Sequence, residues 1–279
     1  MRTCISPIKK GEFQFACGKC YFCRIRKVDE WVLRIQNEVY RNTTTSVYFV
    51  TLTYNNENLP LSKNKLPTLS KEHVKKFVDA LKKYNKRHGY APVKYYLVGE
   101  YGTSKMLGRP HYHAIIFNVT SAERFVSTWK YGNVDIGHKV DSEAVGYIAD
   151  YIYKEVKIPA FERDDREKEF KLISNKIGDN YLTKEMIKYH RNHYFETRAQ
   201  NPMTQKKMAL PRYFQNKIFT EKERIERAAY IAIQIENHNI LEEIEVELRT
   251  GKSYDLWIKE YIETKTELKK KKARDRKDL

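Results

Sequence analysis

Apolar positions recur along this chain with two periods, and their succession outlines a mixed helical and stranded core followed by a mainly helical region. Val28, Trp31, Val32, Ile35 and Val39 fall at helical spacing. They predict an amphipathic helix over residues 24–41, with Arg24, Arg26, Lys27 and Arg34 on its other faces. The β-branched and aromatic run 47–54 predicts a strand. A polar loop with two prolines follows, and Ser70 then N-caps a predicted helix reaching about residue 87. Its core side is Val74, Phe77, Val78, Leu81 and Tyr84. Residues 93–100 and 111–119 predict two further strands, joined as a hairpin by a long loop that carries two glycines, Lys105 and Arg109. A helix over 121–130, a short strand over 132–140 and a helix over 141–155 complete the series.

That order predicts the α+β class, with a central antiparallel sheet covered by helices. Past Pro159 the pattern changes. Residues 162–171 form a dense run of mixed charge, predicted to be a solvated helix or a linker. Residues 221–248 read as one helix with Ile225, Ala228, Ala232, Ile235, Ile244 and Leu248 on an apolar stripe, which packs on the core or mediates self-association. The predicted division is residues 1–43 (cysteines and a basic helix), 44–158 (the α+β core) and 159–279 (a charged linker, a mostly helical C-terminal extension and a basic tail).

Composition narrows the function. Of 279 residues, 53 are Lys or Arg and 36 are Asp or Glu, a formal charge of +17. With 41% hydrophobic and 13% aromatic residues, a wholly disordered chain is excluded. No stretch approaches the roughly 20 apolar residues that cross a bilayer. The first ten residues contain no apolar signal core. Both features predict a soluble, intracellular protein. A basic excess of this size calls for a polyanionic partner, and the 21 Tyr and 12 Phe among the cations suit nucleic acid, where phosphates meet cations and bases stack on rings. The charged tail from Lys269 is predicted to be a solvated end that adds salt-sensitive affinity for DNA.

All four cysteines fall in the first 23 residues: Cys4, Cys17, Cys20 and Cys23. A reducing compartment argues against disulfides. Cys-x-x-Cys-x-x-Cys puts three thiols within one turn, and Cys4 can join them as a fourth ligand of a structural zinc ion. The chain lacks the second Cys-x-x-Cys pair of a zinc ribbon, so reduced packing cysteines and an iron–sulfur cluster stay open. His190 and His193 have metal-ligand spacing, but their polar setting predicts that both face solvent.

Three segments of the core carry chemistry. His111 and His113 flank Tyr112 on a strand, so both imidazoles share one face. Glu100 ends the neighbouring strand, where cross-strand residues approach to roughly 5 Å. Two imidazoles and a carboxylate would hold a divalent ion and leave positions open for phosphate and water. Farther on, Tyr147, Tyr151 and Lys154 lie at i, i+4 and i+7, one helical face, with Tyr153 on the far side. A phenol can attack a phosphodiester and conserve the bond as a phosphotyrosine, given help with its pKa of roughly 10. The third segment, 49–55, is a core strand whose alternate threonines, Thr51 and Thr53, could line a nucleic-acid face. Taken singly, each segment also reads as ordinary core packing.

In chain order these segments resemble the three motifs of the HUH endonuclease superfamily: a hydrophobic Thr-Leu-Thr strand, a His-x-His strand, and a helix with Tyr-x-x-x-Tyr-x-x-Lys. The paired tyrosines resemble those of two-tyrosine replication initiators. Cys17-Gly18-Lys19-Cys20 with Cys23-Arg24, Gly99 to Gly102, Arg109-Pro110-His111 and Leu210-Pro211-Arg212-Tyr213 are similar to microvirus replication-initiation proteins, especially the gokushovirus-like branch. The likeness runs from Cys4 to about Lys157 and, more thinly, over 177–219. Tyr112, where an aliphatic residue is usual, faces away from the imidazoles.

The resemblance implies an HUH-like fold and rolling-circle initiation. A Mg2+ or Mn2+ ion on His111, His113 and Glu100 would polarise the scissile phosphate of single-stranded origin DNA. Tyr147 or Tyr151 would attack, forming a 5′-phosphotyrosine and freeing a 3′-hydroxyl, and the second tyrosine would later cut the regenerated origin so that the circle closes. Lys154 would stabilise charge at the phosphate, and Lys105 and Arg109 would grip the DNA backbone. Conserved bond energy removes the need for ATP, and the chain has no phosphate loop ending in Lys-Ser/Thr. The host helicase and polymerase would be further partners, with no membrane involved, in the cytoplasm of a bacterial host. Two other readings share the charge pattern: a non-catalytic origin-binding or replication-control protein, and a metal-dependent nuclease without a covalent intermediate.

Overall fold

The computed structural model describes residues 4–11, 13–41, 46–102, 108–137, 140–151 and 158–275, with only the backbone at 10, 13, 41, 269, 270 and 272–275. In chain order the elements are β1 (Ile8–Lys10), β2 (Phe13–Phe15), α1 (Tyr21–Arg41), β3 (Val47–Thr53), α2 (Lys71–Arg87), β4 (Lys94–Tyr101), β5 (Pro110–Phe117), α3 (Glu123–Thr128), β6 (Val134–Gly137) and α4 (Ser142–Asp150). There follow β7 (Phe170–Ile173), α5 (Lys184–Asn192), β8 (Arg198–Gln200), β9 (Lys207–Ala209), α6 (Arg212–Ile218), α7 (Glu221–Thr250) and α8 (Tyr254–Asp275). The chain forms two compact units: Val28–His190 with Thr197–Ile218, and Met1–Lys27 with Arg191–Glu196 and Phe219–Leu279.

The larger unit is built on a five-stranded sheet in the order β6-β3-β5-β4-β7, antiparallel at every pairing. This is the α+β architecture that the pattern predicts. Period two along β5 sorts its residues between two cores. Tyr112, Ala114 and Ile116 join Val74, Phe77, Leu81 and Phe125 on one side. Ile115 and Phe117 join Ile35, Val145 and Ile148 on the other. His111 and His113 share the parity of Ile115 and therefore face the side covered by α1 and α4. Tyr112 points the opposite way, fully buried, where its hydroxyl accepts from the Ser70 N–H at 2.8 Å and pairs with the Tyr54 hydroxyl at 2.9 Å. Burial pushes the Tyr112 phenol up to about 12. Ser70 N-caps α2 as expected, its hydroxyl accepting from His73 N–H.

Three features differ from the sequence-based expectations. The mixed-charge run is neither a solvated helix nor a linker. Its end forms β7, the sheet edge beside β4. Before β7, Arg166 and Asp164 make a buried bidentate ion pair (Nε–Oδ1 and Nη2–Oδ2, both 2.7 Å), with Arg166 over the Tyr101 ring. The charges tolerate burial because each has its partner two residues away. Arg34, expected on a solvated helix face, is also buried. It lies between the Trp31 and Tyr213 rings and donates twice to the Ile177 carbonyl. Burial lowers its pKa, while donation and ring stacking compensate. His190 is buried against the Tyr181 hydroxyl at 2.6 Å, whereas His193 is exposed as predicted.

The smaller unit contains the β1–β2 hairpin, the cysteines and the α7–α8 helices. No helix among the described residues is long and apolar enough to cross a membrane.

Candidate active site

The hairpin β4–β5 aligns Glu100 directly with His111, and β3 places Thr51 opposite His113. The turn end of the hairpin is closed by Gly102 N–H donating to the Arg109 carbonyl. Gly108 sits there at φ +46°, and a Cβ at that position would lie 1.9 Å from the Gly102 oxygen, so only glycine fits.

Glu100 Oε1 lies 3.1 Å from His111 Nε2 and 3.3 Å from His113 Nε2. Each imidazole is oriented through its other nitrogen. His111 Nδ1 is 3.0 Å from the Arg109 carbonyl, and His113 Nδ1 is 3.0 Å from Thr51 Oγ1. A carbonyl can only accept, so the His111 proton sits on Nδ1 and a neutral ring turns its Nε2 lone pair towards a carboxylate. That approach is favourable only if the ring is protonated or a cation lies among the three groups. The spacing fits a cation: neighbouring ligands of an octahedral ion with bonds of about 2.1 Å are about 3 Å apart. Orientation of each ligating ring by a second hydrogen bond is the usual support of a metal centre. Glu100 and His113 are buried and His111 is partly so, which limits competition from water.

Helix α4 brings the phenols to the same place. Asp141 N-caps it, accepting from the Glu143 and Ala144 N–H groups at 2.9 Å, and Val145, Ile148 and Ala149 seat it on the core. Tyr147 Oη is 3.4 Å from His113 Nε2, and Tyr151 Oη donates to Tyr147 Oη. Both rings pack against the His113 imidazole. Burial, then the charge of Glu100 and hydrogen bonds to Glu100 and Tyr147, raise the Tyr151 pKa far above that of a free phenol. Lys154 and Lys105 lie outside the described residues. Arg109, expected to grip DNA, donates its Nε and Nη2 to the Tyr54 carbonyl at 3.2 and 2.7 Å and thereby clamps the end of β3. Thr51 and Phe49 complete the pocket; Phe49 packs on both His113 and Tyr147. The sequence signal for these two was their shared parity on a strand of unknown register.

A second cluster lies in the smaller unit. The Sγ atoms of Cys4, Cys17, Cys20 and Cys23 all fall within 4.8 Å of one another. The Cys17–Cys23 and Cys4–Cys20 separations are 4.0 and 3.9 Å, and all four thiols are free of disulfides. Four thiolates around one tetrahedral ion at bonds of about 2.3 Å stand about 3.8 Å apart. A cluster of several irons would need its thiolates farther apart. Lys19 and Cys20 N–H groups donate to Cys17 Sγ and lower its pKa to about 6, while burial raises Cys23 to about 12.

Residues 47–156 match the family model of the replication-associated protein ORF2 group. The chain is 41% identical over 103 residues to replication-associated protein ORF2 of Spiroplasma virus 4, which spans 37% of this chain and 31% of that protein. It is 25% identical over 251 residues to replication-associated protein VP4 of Bdellovibrio phage phiMH2K, covering 76% of each. With replication-associated protein ORF4 of Chlamydia phage 1, identity is 24% over 199 residues, 63% of this chain and 47% of that one. No solved structure matches the chain. Residues 47–156, which include strands β3 to β6, the Glu100–His111–His113 triad and both phenols, are thus the replication-associated protein ORF2 segment of a chain similar to phage replication-associated proteins.

Proposed function

We propose that this protein initiates rolling-circle replication by nicking single-stranded origin DNA through tyrosine attack. The carrying observation is the convergence of two phenols on the imidazole–carboxylate triad, with Tyr147 Oη 3.4 Å from His113 Nε2 and Tyr151 hydrogen-bonded to Tyr147. The similarity to phage replication-associated proteins supports the same reading.

Glu100, His111 and His113 would hold a divalent cation that supplies charge stabilisation at the scissile phosphate. Two imidazoles with one carboxylate favour Mn2+ over Mg2+, whose preference is for oxygen. The phenol oxygen of Tyr147 or Tyr151 attacks phosphorus, the bond from phosphorus to the 3′-oxygen breaks, and that oxygen leaves as a 3′-hydroxyl once protonated. The phosphorus stays joined to tyrosine as a 5′-phosphotyrosine. Each phenol has a proton acceptor at hand: His113 Nε2 beside Tyr147, and Glu100 beside Tyr151. The second tyrosine cuts the regenerated origin, and the freed 3′-hydroxyl attacks the first phosphotyrosine to close the circle. Lys154 and Lys105 keep their proposed roles at the phosphate and the DNA backbone. The four cysteines hold structural zinc. The host helicase and polymerase are the further partners, in the cytoplasm of a bacterial host.

The test uses 3′-labelled single-stranded oligonucleotides tiling the genome that encodes this chain, incubated with Mn2+ and resolved on denaturing gels. One oligonucleotide should yield a labelled band shifted by the mass of the protein. Tyr147→Phe with Tyr151→Phe should abolish it, and each single change should block joining. Cleavage without a shifted band identifies a nuclease that activates water. Binding without cleavage identifies an origin-binding protein. Full cleavage and joining by one single variant identifies a one-tyrosine enzyme. Separately, metal analysis should find one zinc per chain, lost in Cys20→Ser together with a lower unfolding temperature.

A further inference from the structure

Helix α7 runs for 30 residues, about 45 Å, from a capping box at Thr220 and Glu223 to Gly251. Its two long sides differ. One bears the buried Val246 and Glu242, which accepts a hydrogen bond from Tyr254 of α8. The other bears Tyr230, Ile233, Ile240, Leu241, Ile244 and Leu248, exposed by between 42% and 83%. At 100° per residue these six occupy an arc of about 100°. Nothing among the described residues covers them.

The spacing along that arc is specific. Tyr230, Ile233, Asn237, Ile240 and Ile244 succeed one another by three, four, three and four residues. This is the a/d seam of a coiled coil, with Asn237 at an a position. An asparagine there is tolerated when it faces its own copy, because the two amides satisfy each other, and it fixes register and dimeric state. The six exposed side chains present roughly 700 Å2, close to the about 800 Å2 per partner of a standard interface. A stripe that is apolar, long, straight and centred on a self-pairing amide is complementary to itself.

We propose that α7 is a dimerisation helix, which pairs in parallel with α7 of a second copy of this chain across a two-fold axis, Asn237 opposite Asn237. The pairing goes beyond the proposed nicking reaction and does not depend on it, because no residue of the triad or the phenols lies on α7.

Sedimentation velocity on the full chain at micromolar concentration tests it. The wild type should sediment as a dimer. Ile233→Glu with Ile240→Glu should raise the dissociation constant by about 30-fold or more while leaving helical content by circular dichroism unchanged. Asn237→Val should broaden the dimer into higher oligomers. Asn237→Cys should give a covalent dimer on non-reducing gels, since facing a positions approach within disulfide reach, and Ile240→Glu should suppress it. A monomer at every concentration overturns the proposal, as it would if DNA or a different protein covered the stripe. So does a dimer indifferent to Ile233→Glu with Ile240→Glu. The adduct assay is independent of both outcomes, so failure here leaves the nicking reading to stand or fall on its own gel.

Discussion

Thr51 shows how much a single strand position can contribute. Its hydroxyl, 3.0 Å from His113 Nδ1, fixes the imidazole that stands between the triad and Tyr147. Thr51→Val keeps the shape and removes that bond. Mn2+ affinity, followed by electron paramagnetic resonance of the free ion, should fall by about 10- to 100-fold, the usual effect of losing such a support. Thermal stability should change by no more than about 1 kcal/mol. An unchanged affinity would mean that the ring is held by packing on Phe49 alone. That His111, His113 and Glu100 share a face was readable in the chain, because period two is imposed by the peptide itself. Thr51 as the support of His113 was not, because register between β3 and β5 depends on what both faces bury. Arg109 makes the same point from the other side: a loop cation beside the site, it is engaged by the Tyr54 carbonyl.

Helices with strong periodicity and caps emerged close to expectation, α2 most closely, since Ser70 and the run from Val74 to Leu81 agree on one answer. The mixed-charge segment before β7 did not, since polarity says where charge sits but not which charges find each other. The Asp164–Arg166 pair now makes a specific prediction about acid. Arg166 holds the Asp164 carboxyl at about 2 against 3.8 ordinarily. A carboxyl depressed on folding adds stability above its unfolded pKa and loses it as pH falls towards the folded value. About 2 kcal/mol should therefore disappear between roughly pH 4 and pH 2. Asp164→Asn should remove that part of the acid dependence in urea titrations. At pH 7 it should cost about 3–5 kcal/mol, because Arg166 is left buried without its partner. Equal acid dependence in wild type and variant would place the loss elsewhere.

Across the whole molecule, charge governs the encounter with DNA. With +17 overall and seven basic residues against two acidic after Leu268, affinity for single-stranded DNA should fall steeply with salt. Truncation after Leu268 should lower the slope of log affinity against log salt by roughly 2–4, read by anisotropy of a labelled oligonucleotide with the Tyr147→Phe, Tyr151→Phe chain. A slope unchanged by the truncation would show that the tail stays away from the strand. Composition, the two apolar periods and the spacing of His, Tyr and Cys are local properties of the polymer, and from them followed the fold class, the helix and strand inventory and the residue types able to do this chemistry. Distances between those residues are not local. The meeting of α4 phenols with β5 imidazoles, the burial of Arg34 and Asp164, and the bare side of α7 all depend on which surfaces exclude water together, and that is settled by the folded chain as a whole.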